Sequence, residues 1–188
     1  LATEHLIKLG YERIGYVNGE EGNLLGELRK KGYLRALHRY KKSFNEKFIF
    51  RLRLHGEWYD YKSGYEIGEQ FSTLSERPDA MFVFNDLSAL GFERAILDQG
   101  LKVPEDVAIV GFDDIKRGVV APVPLTTVHQ PTNQIGALAV ETLKKRIEGG
   151  ETPVRVLLKP DLIVRKSCGA SSRVISGEIE MEPPEAKG

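Results

Sequence analysis

Polar and aromatic side chains follow four of the strand-like runs in this sequence, either directly or on the next helix. In open α/β sheets, ligands bind beyond the carboxyl ends of the strands, where such side chains converge. There an amide and a carboxylate would bind hydroxyl groups, a guanidinium would donate to oxygens, and an indole face would cover C–H surface. That combination predicts a site for a small polyhydroxylated molecule. The residues concerned are Arg29, Trp58, Asn85 and Asp113.

Each of these residues also has a simpler structural interpretation. Asn85 is a good N-cap for a helix, and Asp113 could end a strand by hydrogen-bonding its own backbone. Arg29 could be one of several solvated cations on a helix, and Trp58 could be partly buried packing. Residue type and position leave both interpretations open.

Strand-like and helix-like segments alternate along most of the chain. The runs AMFVF (80–84) and VAIVGF (107–112) are continuously apolar, as in strands that helices cover on both faces. Strands recur roughly every 25 to 35 residues with helices between them, which is typical of βαβ units. The predicted fold class is therefore α/β, with doubly wound parallel sheets. The predicted strands are 13–17, 48–54, 80–84, 107–112, 154–159 and 162–165, and the predicted helices are 1–9, 24–40, 61–74, 86–99 and 132–148.

Composition excludes several classes of protein. The chain has 27 Lys+Arg and 27 Asp+Glu, so a bulk electrostatic grip on nucleic acid or an anionic membrane is not expected. Cys168 is the only cysteine, which excludes an intrachain disulfide and a multi-cysteine metal site. No apolar run approaches the roughly 20 residues that cross a bilayer. Residues 168–188 lack periodicity and are predicted to form a flexible tail.

Signatures of catalysis are missing from the sequence. Phosphate-binding, dinucleotide-binding, nucleophile-elbow and zinc-protease motifs do not occur. The four histidines are dispersed, and Cys168 has no neighbouring histidine to activate it. We therefore expect a protein that is not an enzyme and that holds neither a metal nor a cofactor.

Six segments stand in a distinctive order along residues 1–167: LATEHLIKLGYERIGYVNG, LRKKGYLRAL, FVFNDLSALG, GLKVPEDVAIVGFDDI, PLTTVHQP and LIVRKS. Together they resemble the effector-binding core of the lac-repressor (LacI/GalR) family of bacterial transcription regulators. Any one segment alone would be a weak signal, but the third, fourth and fifth in combination are highly specific. The resemblance implies a periplasmic-binding-protein-like fold, in which two α/β subdomains close around a small molecule, usually a sugar.

The same resemblance implies a set of ligand-binding residues. Arg29 matches the family arginine that precedes a glycine–aromatic pair, and Trp58 matches the aromatic residue of a glycine–acid–aromatic turn. Asn85 matches the first residue of the family's Asn-Asp pair, and Asp113 matches the first acid after its Gly-aromatic pair. All four contact ligand in relatives. Asn23, in a more variable polar loop, completes the predicted set.

The resemblance also divides the chain between two subdomains. Residues 1–18 and 129–160 are expected to form part of an N-terminal subdomain that is incomplete here. Residues 19–128 and 161–167 are expected to form the C-terminal subdomain. No counterpart of the family's DNA-binding headpiece occurs in these residues, so this chain by itself is not expected to bind operator DNA.

These expectations lead to a hypothesis of function: a sugar-sensing domain of a cytoplasmic, homodimeric transcription repressor that acts on operator DNA through a headpiece and has no membrane partner. The implied dimer contacts are Ala89–Arg94 and Arg117–Pro122, and the apolar run Val119–Ala121 is typical of a surface that a partner covers. An exported sugar-binding protein of a transporter has the same fold and is the alternative. The segments VPEDVAIVGFDD and LIVRKS favour the regulator.

Overall fold

The structure, a computed structural model, describes residues 1–53, 61–151, 153 and 155–171. The strands are β1 (Ile14–Asn18), β2 (Ile49–Arg51), β3 (Ala80–Val83), β4 (Ala108–Asp113), β5 (Thr126–His129) and β6 (Asp161–Ile163). The helices are α1 (Ala2–Lys8), α2 (Leu24–Arg39), α3 (Tyr61–Ser72), α4 (Asp86–Asp98) and α5 (Thr132–Ile147). Within the described residues the strands form one six-stranded sheet in the order β2-β1-β3-β4-β5-β6.

The sheet is parallel except at one edge. Strands β1 to β5 pair in parallel, which confirms the α/β, doubly wound prediction. Strand β6 pairs antiparallel with β5, and His129 lies opposite Asp161. The chain leaves the sheet at the carboxyl end of β5 and returns beside that same end. Strand β6 therefore has to run in the opposite direction to β5. The predicted parallel sheet thus includes one antiparallel edge strand, β6.

Helices cover both faces of the sheet. One core contains Leu6 of α1 and Tyr33 of α2, packed with Phe82 of β3. The other contains apolar side chains of α3 and α4, packed with Met81 and Val83 of the same strand. This alternation follows from the strand geometry, because successive side chains point to opposite faces.

Residues 1–18 are part of this sheet and its helical layers. Strand β1 lies between β2 and β3, and Leu6 and Leu9 pack in the same core as Tyr16. The expectation that residues 1–18 belong to a separate subdomain is therefore wrong. The physical reason is that β1 hydrogen-bonds to strands on both of its sides, and the apolar face of α1 is buried against the same layer.

The segment after β6 is anchored in the core. Cys168 is 0% exposed and Ala170 is 4% exposed. The hydroxyl of Tyr11 donates to the carbonyl of Cys168 at 3.1 Å, and the amide of Ile109 donates to the carbonyl of Ser167 at 2.8 Å. The prediction of a flexible tail is wrong for residues 168–170, and residues 172–188 lie outside the described part of the chain.

Two predicted strands differ in the structure. Among the described residues of the run at 48–54, only Ile49–Arg51 form a strand, β2, and Asn45 caps a 3-10 turn (Glu46–Phe48) immediately before it. The described residues of the run at 154–159 pair with no strand of the sheet and form no strand themselves.

Helix α5 lies outside both cores. None of its residues is buried, and Leu143 is 61% exposed. Among the helices that the structure describes, none has the length and apolar character needed to cross a membrane.

Candidate ligand-binding site

The candidate site lies at the point where the strand order changes direction. From β1 the chain moves to β2 on one side, and from β3 onward it moves to the other side. Helix α2 follows β1 onto one face of the sheet, whereas α4 follows β3 onto the other face. Connections that leave on opposite faces open a crevice at the carboxyl ends of the strands.

Arg29 of α2 reaches across this crevice. Its Nη1 donates to the carbonyl of Phe84, which follows β3, at 2.6 Å. Its Cζ lies 3.7 Å from the ring centroid of Phe112 and 4.5 Å from that of Phe84, within cation–π range. Burial lowers the pKa of Arg29, and the carboxylate of Asp113 opposes that shift. Arg29 is therefore a held cation at the ends of β3 and β4 and not a solvated helix residue.

Asp113, the last residue of β4, lies near enough to Arg29 for its carboxylate to feel the guanidinium charge. Gln130 donates from Nε2 to Asp113 Oδ1 at 2.6 Å. Burial raises the pKa of Asp113 above its ordinary value, while the Gln130 hydrogen bond and the charge of Arg29 lower it. The backbone of Asp113 has a φ of 121°, and that of Asp114 a φ of 59°. Non-glycine residues with positive φ are uncommon and cluster at functional sites.

A buried carboxylate accepts a hydrogen bond from the residue that follows this turn. Asp86, which is 0% exposed, accepts the Thr127 hydroxyl on Oδ1 at 2.6 Å and the Ile115 amide on Oδ2 at 2.9 Å. A Cβ at Gly111 would lie 2.2 Å from Asp86 Oδ1, so glycine makes room for the carboxylate. The network joins α4, β5 and the segment after Asp113.

Two side chains contact the carboxylate of Asp114. Its carboxylate lies 2.6 Å from Arg165 Nη2 and 3.0 Å from His129 Nδ1. Arg165 also donates to the carbonyl of Leu125 at 2.7 Å. Both sides of the strained turn are therefore tied to β5 and to the segment after β6.

The remaining predicted residues have different outcomes. Asn85 caps α4, and its Oδ1 accepts the Ser88 amide at 2.8 Å. This cap occupies Oδ1 and does not use the amide N–H groups, so capping and ligand contact are compatible. Asn23 caps α2 in the same way, accepting the Gly26 amide at 2.8 Å. Trp58 lies outside the described residues.

Sequence reasoning missed two residues of the crevice, Gln130 and Phe112. Gln130 stands just beyond β5, so the rule that selected Asn85 and Asp113 would also have found it. Phe112 lies in an apolar run, and only the structure shows that its ring packs against Arg29.

Two cavities adjoin these side chains. The smaller has a volume of ≈ 160 Å³ and is lined in part by Arg29, Tyr33 and Phe112. The larger, a groove of ≈ 680 Å³, runs from Phe112 and Gln130 along α5. An apolar groove with a few converging polar groups is the usual form of a small-molecule site. Among the residues that the structure describes, no group of three His, Cys, Asp or Glu side chains could hold a metal ion.

Comparison with known proteins decides the family. The model of the periplasmic binding protein-like domain matches residues 3–168. The chain belongs to this family. Over 171 residues it is 37% identical to the HTH-type transcriptional repressor PurR of Haemophilus influenzae (strain PittEE), and the match covers 89% of the chain and 49% of that repressor. The chain thus spans about half the length of the curated relatives it matches.

Solved structures give the same result. A lac repressor dimer bound to operator and the anti-inducer ONPF has a TM-score of 0.78 at 32% identity, covering 89% of this chain and 56% of that one. A complex of the transcriptional regulator CelR with cellobiose has a TM-score of 0.79 at 34% identity, covering 88% and 49%. These relatives are transcription regulators. The likeness confirms the predicted effector domain of the lac-repressor family and favours it over the transporter alternative.

Proposed function

We propose that the crevice binds a small carbohydrate and that the chain is the effector-sensing and dimerisation region of a repressor. The observation that carries the proposal is the Arg29 guanidinium held across the ends of β3 and β4, beside the Asp113 carboxylate. A fixed donor and a fixed acceptor, with the Asn85 amide nearby in sequence, suit vicinal hydroxyl groups. The CelR relative was solved with cellobiose, which supports a sugar as the ligand class.

A second lobe would complete the site. The chain leaves the sheet at His129 and returns at Asp161 on the same edge, and α5 lies in this excursion with no buried residue. We assign residues 129–160 to a lobe that closes over the crevice. The lobe would then have an open and a closed arrangement. A ligand that binds the closed arrangement better would shift the equilibrium toward it, and the coupling between ligand binding and this shift is typically about 1–3 kcal/mol. A headpiece outside this chain would convert that shift into operator affinity.

The proposed dimer surface consists of Ala89–Arg94 on α4 and Arg117–Pro122. Val119 is 51% exposed and Val120 is 81% exposed, so this surface presents apolar side chains to solvent. Exposed apolar patches of this kind mark interaction sites. The lac repressor relative bound to operator is a dimer. A repressor that binds operator DNA works in the cytoplasm, and we place the protein there.

Calorimetric titration of the full-length protein with mono- and disaccharides tests the proposed ligand. We expect one sugar to bind, and Arg29→Ala to weaken its binding by roughly 10-fold to 100-fold, because a charge-assisted hydrogen bond contributes about 1.5–3 kcal/mol. Arg35→Ala is the matched control, since Arg35 is an exposed arginine on the same helix and should leave affinity unchanged. Equal affinity in the wild type and in Arg29→Ala would contradict the proposal.

A further inference from the structure

Helix α2 carries an exposed row of cations. Lys31, Arg35 and Arg39 follow one another at intervals of four residues, so they lie on one face of the helix, and all three are exposed. None of them makes an ion pair with a described residue. Glu27, one turn before Lys31, instead accepts the side-chain amide of Asn18 at 3.1 Å. Like charges at this spacing destabilise a helix, so an anionic partner would stabilise the row.

An acidic segment of the same chain has the complementary charge. Residues 24–42 contain seven Lys or Arg and one Glu, whereas residues 174–185, which lie outside the described part of the chain, contain four Glu and no Lys or Arg. Three of these glutamates, Glu178, Glu180 and Glu182, occupy alternate positions. The balanced net charge of the chain therefore conceals a basic helix and an acidic segment.

The spacing of these glutamates matches that of the cation row. Four residues of an α-helix rise about 6.0 Å. Two residues of an extended chain advance about 6.6 Å, and alternate side chains point to the same side. Pro183 follows Glu182, and a residue before proline favours extended backbone. Three glutamates of an extended segment therefore fit the three cations one by one.

The described chain ends close to the C-terminal end of α2. The Tyr11 hydroxyl donates to the carbonyl of Cys168 at 3.1 Å, and the neighbouring Glu12 pairs with Lys42, just beyond α2. From the last described residue, at position 171, the chain to Glu178 reaches at most about 25 Å, which is about the length of α2. The acidic segment can therefore reach the cation row from that end of the helix.

We propose that the acidic segment 178–182 docks in extended form along the cation row of α2 in the same chain, antiparallel to the helix. Arg29 points to the crevice from another side of α2, so the docking is independent of the ligand. The successive pairs are Glu178–Arg39, Glu180–Arg35 and Glu182–Lys31.

Carbodiimide crosslinking of the full-length protein tests the docking, because the reagent joins a lysine amine directly to a carboxylate. Crosslinking an equal mixture of isotope-labelled and unlabelled protein lets mass spectrometry separate crosslinks within a chain from those between chains. We expect a crosslink between Lys31 and Glu182 within one chain. Lys62, an exposed lysine of α3 on the other side of the sheet, should form no crosslink to the acidic segment.

Charge reversal on α2 should weaken the docking. Arg35→Glu combined with Arg39→Glu should lower the yield of the Lys31 crosslink roughly tenfold, because two attractions become repulsions. Lys144→Glu combined with Arg146→Glu, two exposed positions on α5, is the matched control. It changes the net charge equally and should alter the yield by less than about twofold, because distant surface charges are screened.

Exchanging the charges should restore the docking. When Glu178→Arg and Glu180→Arg are added to the variant reversed on α2, two pairs form again with opposite polarity, and the yield of the Lys31 crosslink should return. A yield that stays low would show that the cations do not act by pairing with the segment.

Further results would overturn the proposal. Absence of the Lys31 crosslink in the wild type, or equal crosslinking to Lys62, would refute docking on the row. Crosslinks found only between labelled and unlabelled chains would assign the segment to a second copy. If the reversed variants do not fold, the wild type in 1 M salt decides, because the Debye length there is about 3 Å. An unchanged yield under that condition would refute an electrostatic contact.

Discussion

At the scale of single residues, the crevice depends on pairs of side chains. Arg29 is held by the carbonyl of Phe84 and the ring of Phe112, and Asp113 is held by Gln130. Both side chains are partly buried, and the charge of each opposes the shift that burial causes in the pKa of the other. A site prepared in this way loses little side-chain freedom when a ligand arrives, which favours affinity.

Removing the Gln130 hydrogen bond should make ligand binding more sensitive to acid. Binding to a carboxylate requires Asp113 to be ionised, and the Gln130 hydrogen bond lowers its pKa against the effect of burial. In Gln130→Met the pKa of Asp113 is expected to rise, so affinity should fall off at a higher pH than in the wild type. Titrations between pH 4 and pH 7 measure this. An unchanged pH profile would show that Gln130 does not control the ionisation of Asp113.

At the scale of elements, two glycines bring α3 and α4 close together. A Cβ at Gly64 would lie 1.9 Å from the carbonyl oxygen of Ser88, and a Cβ at Gly91 would lie 1.9 Å from that of Tyr61. The close approach packs Phe71 against Phe92, whose ring centroids are 5.3 Å apart. Because α4 begins at the crevice, its packing against α3 also sets the position of the site.

Gly64→Ala should destabilise the protein by about 3 kcal/mol or more, because the new methyl group meets backbone atoms that cannot turn away. Gly136→Ala in α5 is the matched control. A Cβ there meets nothing within 4 Å, so the free energy of unfolding should stay the same or rise by up to about 1 kcal/mol. Urea unfolding of both variants compares them, and equal stability would refute the close-packing account.

Elements with a clear local period were predictable, and features that depend on distant contacts were not. The buried runs at 80–84 and 107–112 became β3 and β4 because their apolar side chains serve both faces of the sheet. The direction of β6 depends on where the chain re-enters the sheet, which no local pattern records. Cys168 looked like part of a tail, but Tyr11, far away in sequence, anchors it in the core.

At the scale of the whole molecule, α1 to α4 pack on the sheet in two buried cores, whereas α5 has no buried residue. The two cores hold the sheet and four helices in place, so the crevice has a rigid floor. Helix α5 presents Val140, Leu143 and Ile147 to solvent at 70%, 61% and 78% exposure. Under the proposed function, the buried cores would form the fixed side of the crevice, and α5 would belong to the lobe that closes over the ligand.

Thermal unfolding of the full-length protein with a panel of mono- and disaccharides tests the central claim most directly. A sugar at about 100 times its Kd should add roughly 2.7 kcal/mol of stability and raise Tm by several degrees. Asp113→Asn should keep the unliganded Tm, because asparagine tolerates a positive φ and still accepts the Gln130 hydrogen bond. We predict that one sugar raises the Tm of the wild type and that Asp113→Asn loses this rise. If no sugar raises the wild-type Tm, or if Asp113→Asn shows the same rise, the claim that this crevice senses a carbohydrate is contradicted.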